Sequence, residues 1–420
     1  MTVVLLLSSL TVGLVFVDLN TYDTCIEWMK LNVTVPSHVQ TLQIVGMSLR
    51  LIPLYGLFPT CIAMLWGFRQ FKQHYLFRLL LCAFVTGSLT CAYEIIMFDK
   101  FFHVDYNLYR LPFAILFISS IICEAYLVAS KFKRVNVSTS YSVFHISITV
   151  SYIFLASTLF AYLYNFLIIN HFIETKGKLK KATVATLTPG IILPLTAIVK
   201  YIVLRKSTEI IAPDRAFVLC YISRGASIIL YRTMQSGFHN IWLYVSLSLL
   251  HGVSNVLSKA TLNFRIRLWK VFVTFFNRTC CRPRLTVQAL NSPRIRRLNA
   301  DLETQNILFE YNTIILSQAL LTCHLIMNYD VSAWDVIKES LIRVAISLTI
   351  DFVFNIISML IQIHVYDIPM QMIWAIHWRR HVLANAFMII VFVSHFSAIL
   401  IKVFADRNDT LRLRNCTTVF

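Results

Sequence analysis

The sequence predicts an all-α, polytopic transmembrane bundle of about eight to ten spans, on three observations. Hydrophobic residues make up 57% of the 420 positions and charged residues only 14%, against roughly 45–50% and 25% in soluble globular chains. The stretches Val143–Ile169 and Val382–Ile401 contain no Asp, Glu, Lys or Arg, and runs of about 18 or more such residues read as membrane-spanning helices. The runs are unbroken, whereas the strands of a membrane barrel alternate apolar and polar side chains with period two.

Residues 1–17 are apolar and are followed by a polar segment, 18–40, carrying the sequon Asn32-Val33-Thr34. That order fits a signal peptide. The absence of Lys or Arg ahead of the apolar run, and of a small-x-small cleavage site, fits an uncleaved anchor instead. Ten spans are then expected at about 41–67, 77–98, 110–130, 143–168, 183–204, 216–233, 240–258, 307–328, 341–363 and 382–404. The sixth, with Arg224 and Arg232, and the first, with Arg50, are the least apolar in character. The spans form a first membrane region, 41–258, and a second, 307–404, separated by a basic loop, 259–306.

Orientation follows from the distribution of cations among short loops. Arg69, Lys72 and Arg78 follow the first span, Lys131, Lys133 and Arg134 the third, and ten cations from Lys259 to Arg297 the seventh. Placing these in the cytosol puts residues 18–40 and the tail 405–420 outside. Three sequon asparagines, Asn32, Asn408 and Asn415, are then glycosylation candidates, which points to a eukaryotic endomembrane or plasma membrane. The Lys176, Lys178, Lys180 and Lys181 cluster falls on the external side and conflicts with the rule.

The net charge of +18 is concentrated between apolar segments, so it calls for a lipid bilayer, including anionic lipids, rather than nucleic acid. The ten cysteines show no metal-type spacing, and no metal or cofactor is expected. His377 and His381 lie four apart, but Arg379 and Arg380 between them would repel a metal, and they read as a cytoplasmic flank.

Within the basic loop, Phe264–Arg278 is an amphipathic basic helix suited to the interface through Arg267, Lys270 and Trp269. A cytoplasmic extension of the seventh span accounts for the same residues. Cys280 and Cys281 follow it as palmitoylation candidates. Asn299 is expected to cap the eighth span, with Asp301 and Glu303 in its first turn and Glu310 and Asn312 near its entry.

Ionisable residues within spans mark function, because each costs about 2.5–3.5 kcal/mol at mid-helix unless paired or hydrated. Asp351 is the most central, with Asn355 one turn on; Glu124, Glu94, Arg224 and His251 complete the set. Pairing of Arg224 with Asp351 or Glu124 satisfies the electrostatics. In the fifth span, Pro189, Gly190 and Pro194 predict a kinked or broken helix. Such breaks line substrate sites in transporters, and also serve simply as packing kinks.

These features favour a transporter or channel for a small solute or ion. A receptor, a membrane-embedded lipid-modifying enzyme and a non-transporting assembly subunit are the alternatives. No spacing of a known catalytic set occurs.

Overall fold

A computed structural model describes residues 2–22, 37–101, 110–136, 139–191, 193–205, 210–212, 214–279, 292–404 and 411–412. Every regular element among them is helical. The long helices are α1 (Thr2–Tyr22), α2 (Ser37–Tyr55), α3 (Leu57–Trp66), α4 (Phe68–His74), α5 (Leu76–Phe101), α6 (Arg110–Val135) and α7 (Val143–Leu163). A π-helix (Tyr164–Ile169) and α8 (Asn170–Glu174) extend α7. There follow α9 (Lys178–Ile191), α10 (Leu193–Arg205), α11 (Phe217–Ser236), α12 (Ile241–Ala260), α13 (Leu262–Thr279), α14 (Pro293–Asn328), α15 (Ala333–Tyr366) and α16 (Met370–Ile401).

Eight of the helical segments are long and apolar enough to cross a membrane: Val39–Trp66, Leu76–Met97, Leu111–Val135, Val143–Glu174, Lys178–Leu204, Ile241–Ala260, Ala333–Tyr366 and Met370–Ser397. The chain is an all-α bundle built on these spans. Two expected spans, at 216–233 and 307–328, are helical as α11 and α14 but fall outside that apolar set. The physical reason is position. α14 packs against α1, α11, α15 and α16, and its buried residues run from Ile295 to Asn328 around the helix. A helix enclosed by other helices needs no lipid-facing apolar surface, so its side chains are free to be polar.

The eighth span begins earlier than expected. Ser292 caps α14, its Oγ accepting from the Ile295 N–H, with Pro293 in the first turn, a combination that starts helices well. Asn299 is therefore inside the helix, and Glu310 and Asn312 are buried along it rather than near its entry. α12 and α13 are separated by one turn residue, Thr261, whose N–H donates to the Leu257 carbonyl and whose carbonyl accepts from the Arg265 N–H, each at 2.9 Å.

The first expected span is broken at Gly56 into α2 and α3, downstream of the helix-interior Pro53. At the end of α3, Gly67 takes a φ of +89°, a left-handed backbone conformation that favours glycine. In the fifth expected span, α9 contains Pro189 and α10 has Pro194 as its second residue; residue 192 between them lies outside the described residues, and the expected break falls there. Tyr164 Oη, from the π-helix, donates to the Thr188 carbonyl of α9 at 2.9 Å.

α1 is packed into the bundle against α14, α16 and α2. Near its end, Asp18 accepts two hydrogen bonds from the Arg50 guanidinium at 2.8 and 2.7 Å, and Ser397 of α16 donates to the same carboxylate.

The ends of α12, α14 and α15 nearest the basic loop meet one another: Tyr366 Oη donates to the Ala260 carbonyl at 3.1 Å, and Arg296 donates to the Asp367 carbonyl. We call this the basic-loop end. The turn at 237–240 lies at the opposite end.

Candidate functional site

The buried residues of α15 are Arg343, Ser347, Asp351, Asn355, Ser358, Gln362 and Tyr366. Their spacings of four and three place them on one face of the helix. This inverts a soluble amphipathic helix: the stripe packed inside is polar, while Phe352, Val353, Ile356 and Leu360 are exposed on the other side. From Arg343 to Gln362 the stripe is about 28 Å long at 1.5 Å per residue, close to the roughly 30 Å of a bilayer's hydrocarbon core.

Three other helices present matching stripes. α12 contributes Tyr244, Ser248, His251, Asn255 and Lys259, and α11 contributes Tyr231, Arg232 and Gln235. On α14 the stripe is Asn299, Glu303, Asn306, Glu310, Thr313 and Ser317. α12 and α15 approach so closely at Gly252 that a Cβ there would overlap the Phe354 ring, which brings the two stripes within side-chain reach.

The contacts form a column. At the end opposite the basic loop, Arg343 donates to the Phe238 and His239 carbonyls, each at 2.7 Å, and pairs with Glu339. Ser347 donates to Tyr244 Oη at 2.7 Å and lies 3.0 Å from Ser248 Oγ. Gln235 donates to the Tyr244 carbonyl at 2.9 Å and accepts from Arg232 at 3.0 Å. Arg232 forms an ion pair with Asp351, and both are buried. Beyond it, His251 stands 3.8 Å from Glu310 and stacks on Tyr231, and Asn255 donates to Asn355 at 3.2 Å. At the basic-loop end, Ser358 donates to Glu303 at 3.3 Å, and Glu303 pairs with Lys259.

The column combines charges of both signs with polar atoms that have no partner among the described residues, including Asp351 Oδ1, Arg232 Nε and both side-chain polar atoms of Asn306. Each such buried atom carries a desolvation cost of about 1–3 kcal/mol. Such a surface favours water or a polar solute over hydrocarbon.

Asp351 and Asn355 share this face as their spacing requires. Arg224 does not pair with either expected carboxylate. Arg232, eight residues along α11, pairs with Asp351 instead, because two helical turns move a side chain about 12 Å along the axis. Arg224 is half-buried and makes no hydrogen bond or ion pair with another described side chain.

Glu124 is buried on α6 with neither carboxyl oxygen hydrogen-bonded among the described residues. Glu94 is half-buried on α5, an electrostatic neighbour of Arg50. These two belong to a separate group on α5 and α6, with Tyr55 of α2 beside both. Pro189 is half-buried, and Gly190 and Pro194 are exposed, so these residues do not line the column.

On α13, Arg267, Lys270 and Trp269 are exposed together with Leu268, Phe272 and Phe276. Cys280, Cys281, Asn32, Asn408 and Asn415 lie outside the described residues. His381 is buried, 3.2 Å from Asp301 and 3.1 Å from Gln305. Its place at position 12 of the long helix α16 carries it past the surface, while His377 one turn earlier remains half-buried.

Sequence reasoning passed over Arg232, Arg343, Lys259 and Glu303 as members of one site. The signal available was the four-four-four-three-four spacing of polar residues from Arg343 to Gln362. No family model matches the chain, and no curated protein or solved structure is significantly similar to it.

Proposed function

We propose that this multi-pass membrane protein is a transporter or channel for a small solute or ion, and that the pathway follows the polar column between α11, α12, α14 and α15. The observation that supports this reading is the length of the buried stripe on α15, which matches the thickness of the hydrocarbon core. Ionisable groups in a membrane line pathways for ions and solutes. A bundle needing only to be held together has cheaper means, because buried ion pairs seldom add more stability than well-packed apolar residues.

In this conformation the Arg232–Asp351 and Lys259–Glu303 pairs close the column, so opening requires these contacts to exchange for contacts with solute or water. The reading is tested by reconstituting the full chain in vesicles and following proton and chloride flux under an imposed gradient. Flux above that of protein-free vesicles, reduced by Asp351→Asn, is expected. Flux that is present but unchanged in Asp351→Asn would remove Asp351 from the pathway.

A further inference from the structure

At the basic-loop end the column meets more cations than it has carboxylates. Lys200 of α10 donates to Asn299 Oδ1, its one hydrogen-bond partner among the described residues, and a neutral amide does not balance a charge. Lys259 of α12 pairs with Glu303. Asn299 and Glu303 are one turn apart on α14, so the two ammonium groups converge on one face of that helix from opposite neighbours. Arg224 of α11 is an electrostatic neighbour of both lysines, and Arg265, exposed at the start of α13, is a neighbour of Lys200 and Arg224.

Leaving aside the exposed Arg265, the three cations face Glu303 and Glu310, which leaves one positive charge in excess, and Glu310 is shared with His251. Burying uncompensated charge is costly, and the cost is removed by an ion of opposite sign. A second, independent observation points the same way. Asn306, one turn beyond Glu303 on the same face, is 1% exposed, and neither its amide nitrogen nor its amide oxygen has a hydrogen-bond partner among the described residues. Its N–H groups are spare donors on the face of α14 that carries Asn299 and Glu303.

We infer that Lys200, Arg224, Lys259 and Asn306 form a binding site for a phosphate-class anion, carried either by a free ion or by the head group of an anionic lipid. The anion's negative charge offsets that excess. Arg224, which makes no hydrogen bond or ion pair through its side chain among the described residues, offers its planar fork for two parallel hydrogen bonds, and Lys200 and Lys259 supply point charges. The site stands on its own chemistry and holds whether or not the column conducts.

The test uses the purified full chain. In detergent, thermal unfolding is followed against inorganic phosphate, with chloride at equal ionic strength as the reference. In a second arm, nanodiscs of phosphatidylcholine alone are compared with nanodiscs containing phosphatidic acid. Protection by phosphate beyond chloride, with affinity roughly tenfold lower in Arg224→Gln as one charge-assisted contact is lost, supports the site and a free anion. Protection only by phosphatidic acid, lost in Arg224→Gln, supports the site and a lipid head group. If phosphate protects no better than chloride and phosphatidic acid no better than phosphatidylcholine, the site is overturned. The wild-type comparisons alone decide this should Arg224→Gln fold poorly, and Asn306→Leu then serves as the second variant.

Discussion

Arg232 and Asp351, 119 residues apart in the chain, form an ion pair sealed between α11 and α15. Neither charge has another partner of opposite sign within ion-pair distance among the described residues. Removing one partner leaves the other charge buried, at a cost of about 3–5 kcal/mol. Asp351→Asn and Arg232→Gln are each expected to lower the thermal unfolding temperature of the purified chain. The double variant is expected to recover most of the loss, and a double variant no better than the worse single one would contradict the pair's role.

Glu124 gives the opposite expectation. Its carboxyl is buried without a hydrogen bond among the described residues, so the fold gains nothing from its charge. Glu124→Gln should unfold at the same temperature as the wild type or higher. A loss of more than about 1 kcal/mol, the worth of an ordinary hydrogen bond, would mean that the carboxyl has a partner in the folded protein.

Close packing of α12 on α15 depends on Gly252 lying against the Phe354 ring. Gly252→Ala overpacks this contact and is expected to destabilise by about 1–3 kcal/mol. Phe354→Leu, which frees volume at the same place, should restore stability in the double variant. Additive losses measured by the same unfolding assay would show that the two positions do not press on each other.

Asp214, in the segment before α11, joins that segment to Arg380 of α16 at 2.7 Å. Partial burial raises the Asp214 carboxyl, but the Arg380 hydrogen bond and charge outweigh that and hold it below the ordinary 3.8. A depressed carboxyl stabilises the fold above the unfolded value and loses that contribution as pH falls through the folded one. Amide exchange in residues 210–216, corrected for intrinsic rates, should therefore rise when pH is lowered from 6 to below about 3.8. Asp214→Asn should exchange fast at both pH values, and a wild-type segment equally protected at both would refute the tie.

The helical bundle was legible in the sequence because lipid-facing helices must be apolar along most of their length, as Val143–Ile169 and Val382–Ile401 are. The central helix α14 was harder to place: enclosure by its neighbours lets it carry Glu303, Asn306, Glu310 and Gln318, which resemble a soluble helix. Asp351 and Asn355 stood out because they interrupt an apolar run. The column's cations Arg232 and Lys259 did not, since they lie near span ends, where cations are ordinary. Arg224 is equally conspicuous in sequence, and only helix register separates it from Arg232. His381 shows the same limit: its neighbours Arg379 and Arg380 suggest a flank, and the packing of Asp301 against it lies 80 residues away.

The central claim is that the stripe on α15 lines a pathway reached by water, while the opposite face meets lipid. Single cysteines at Ser347, Asn355, Ser358 and Phe352, each added to the wild-type chain in sealed vesicles, measure this directly through labelling by a membrane-impermeant thiol reagent beyond that of the native cysteines. The thiolate is the reactive form, and it forms in water rather than in hydrocarbon. Labelling at one or more of the stripe positions, with none at Phe352, is the predicted result. An unlabelled stripe, or labelling at Phe352 alone, would contradict the claim.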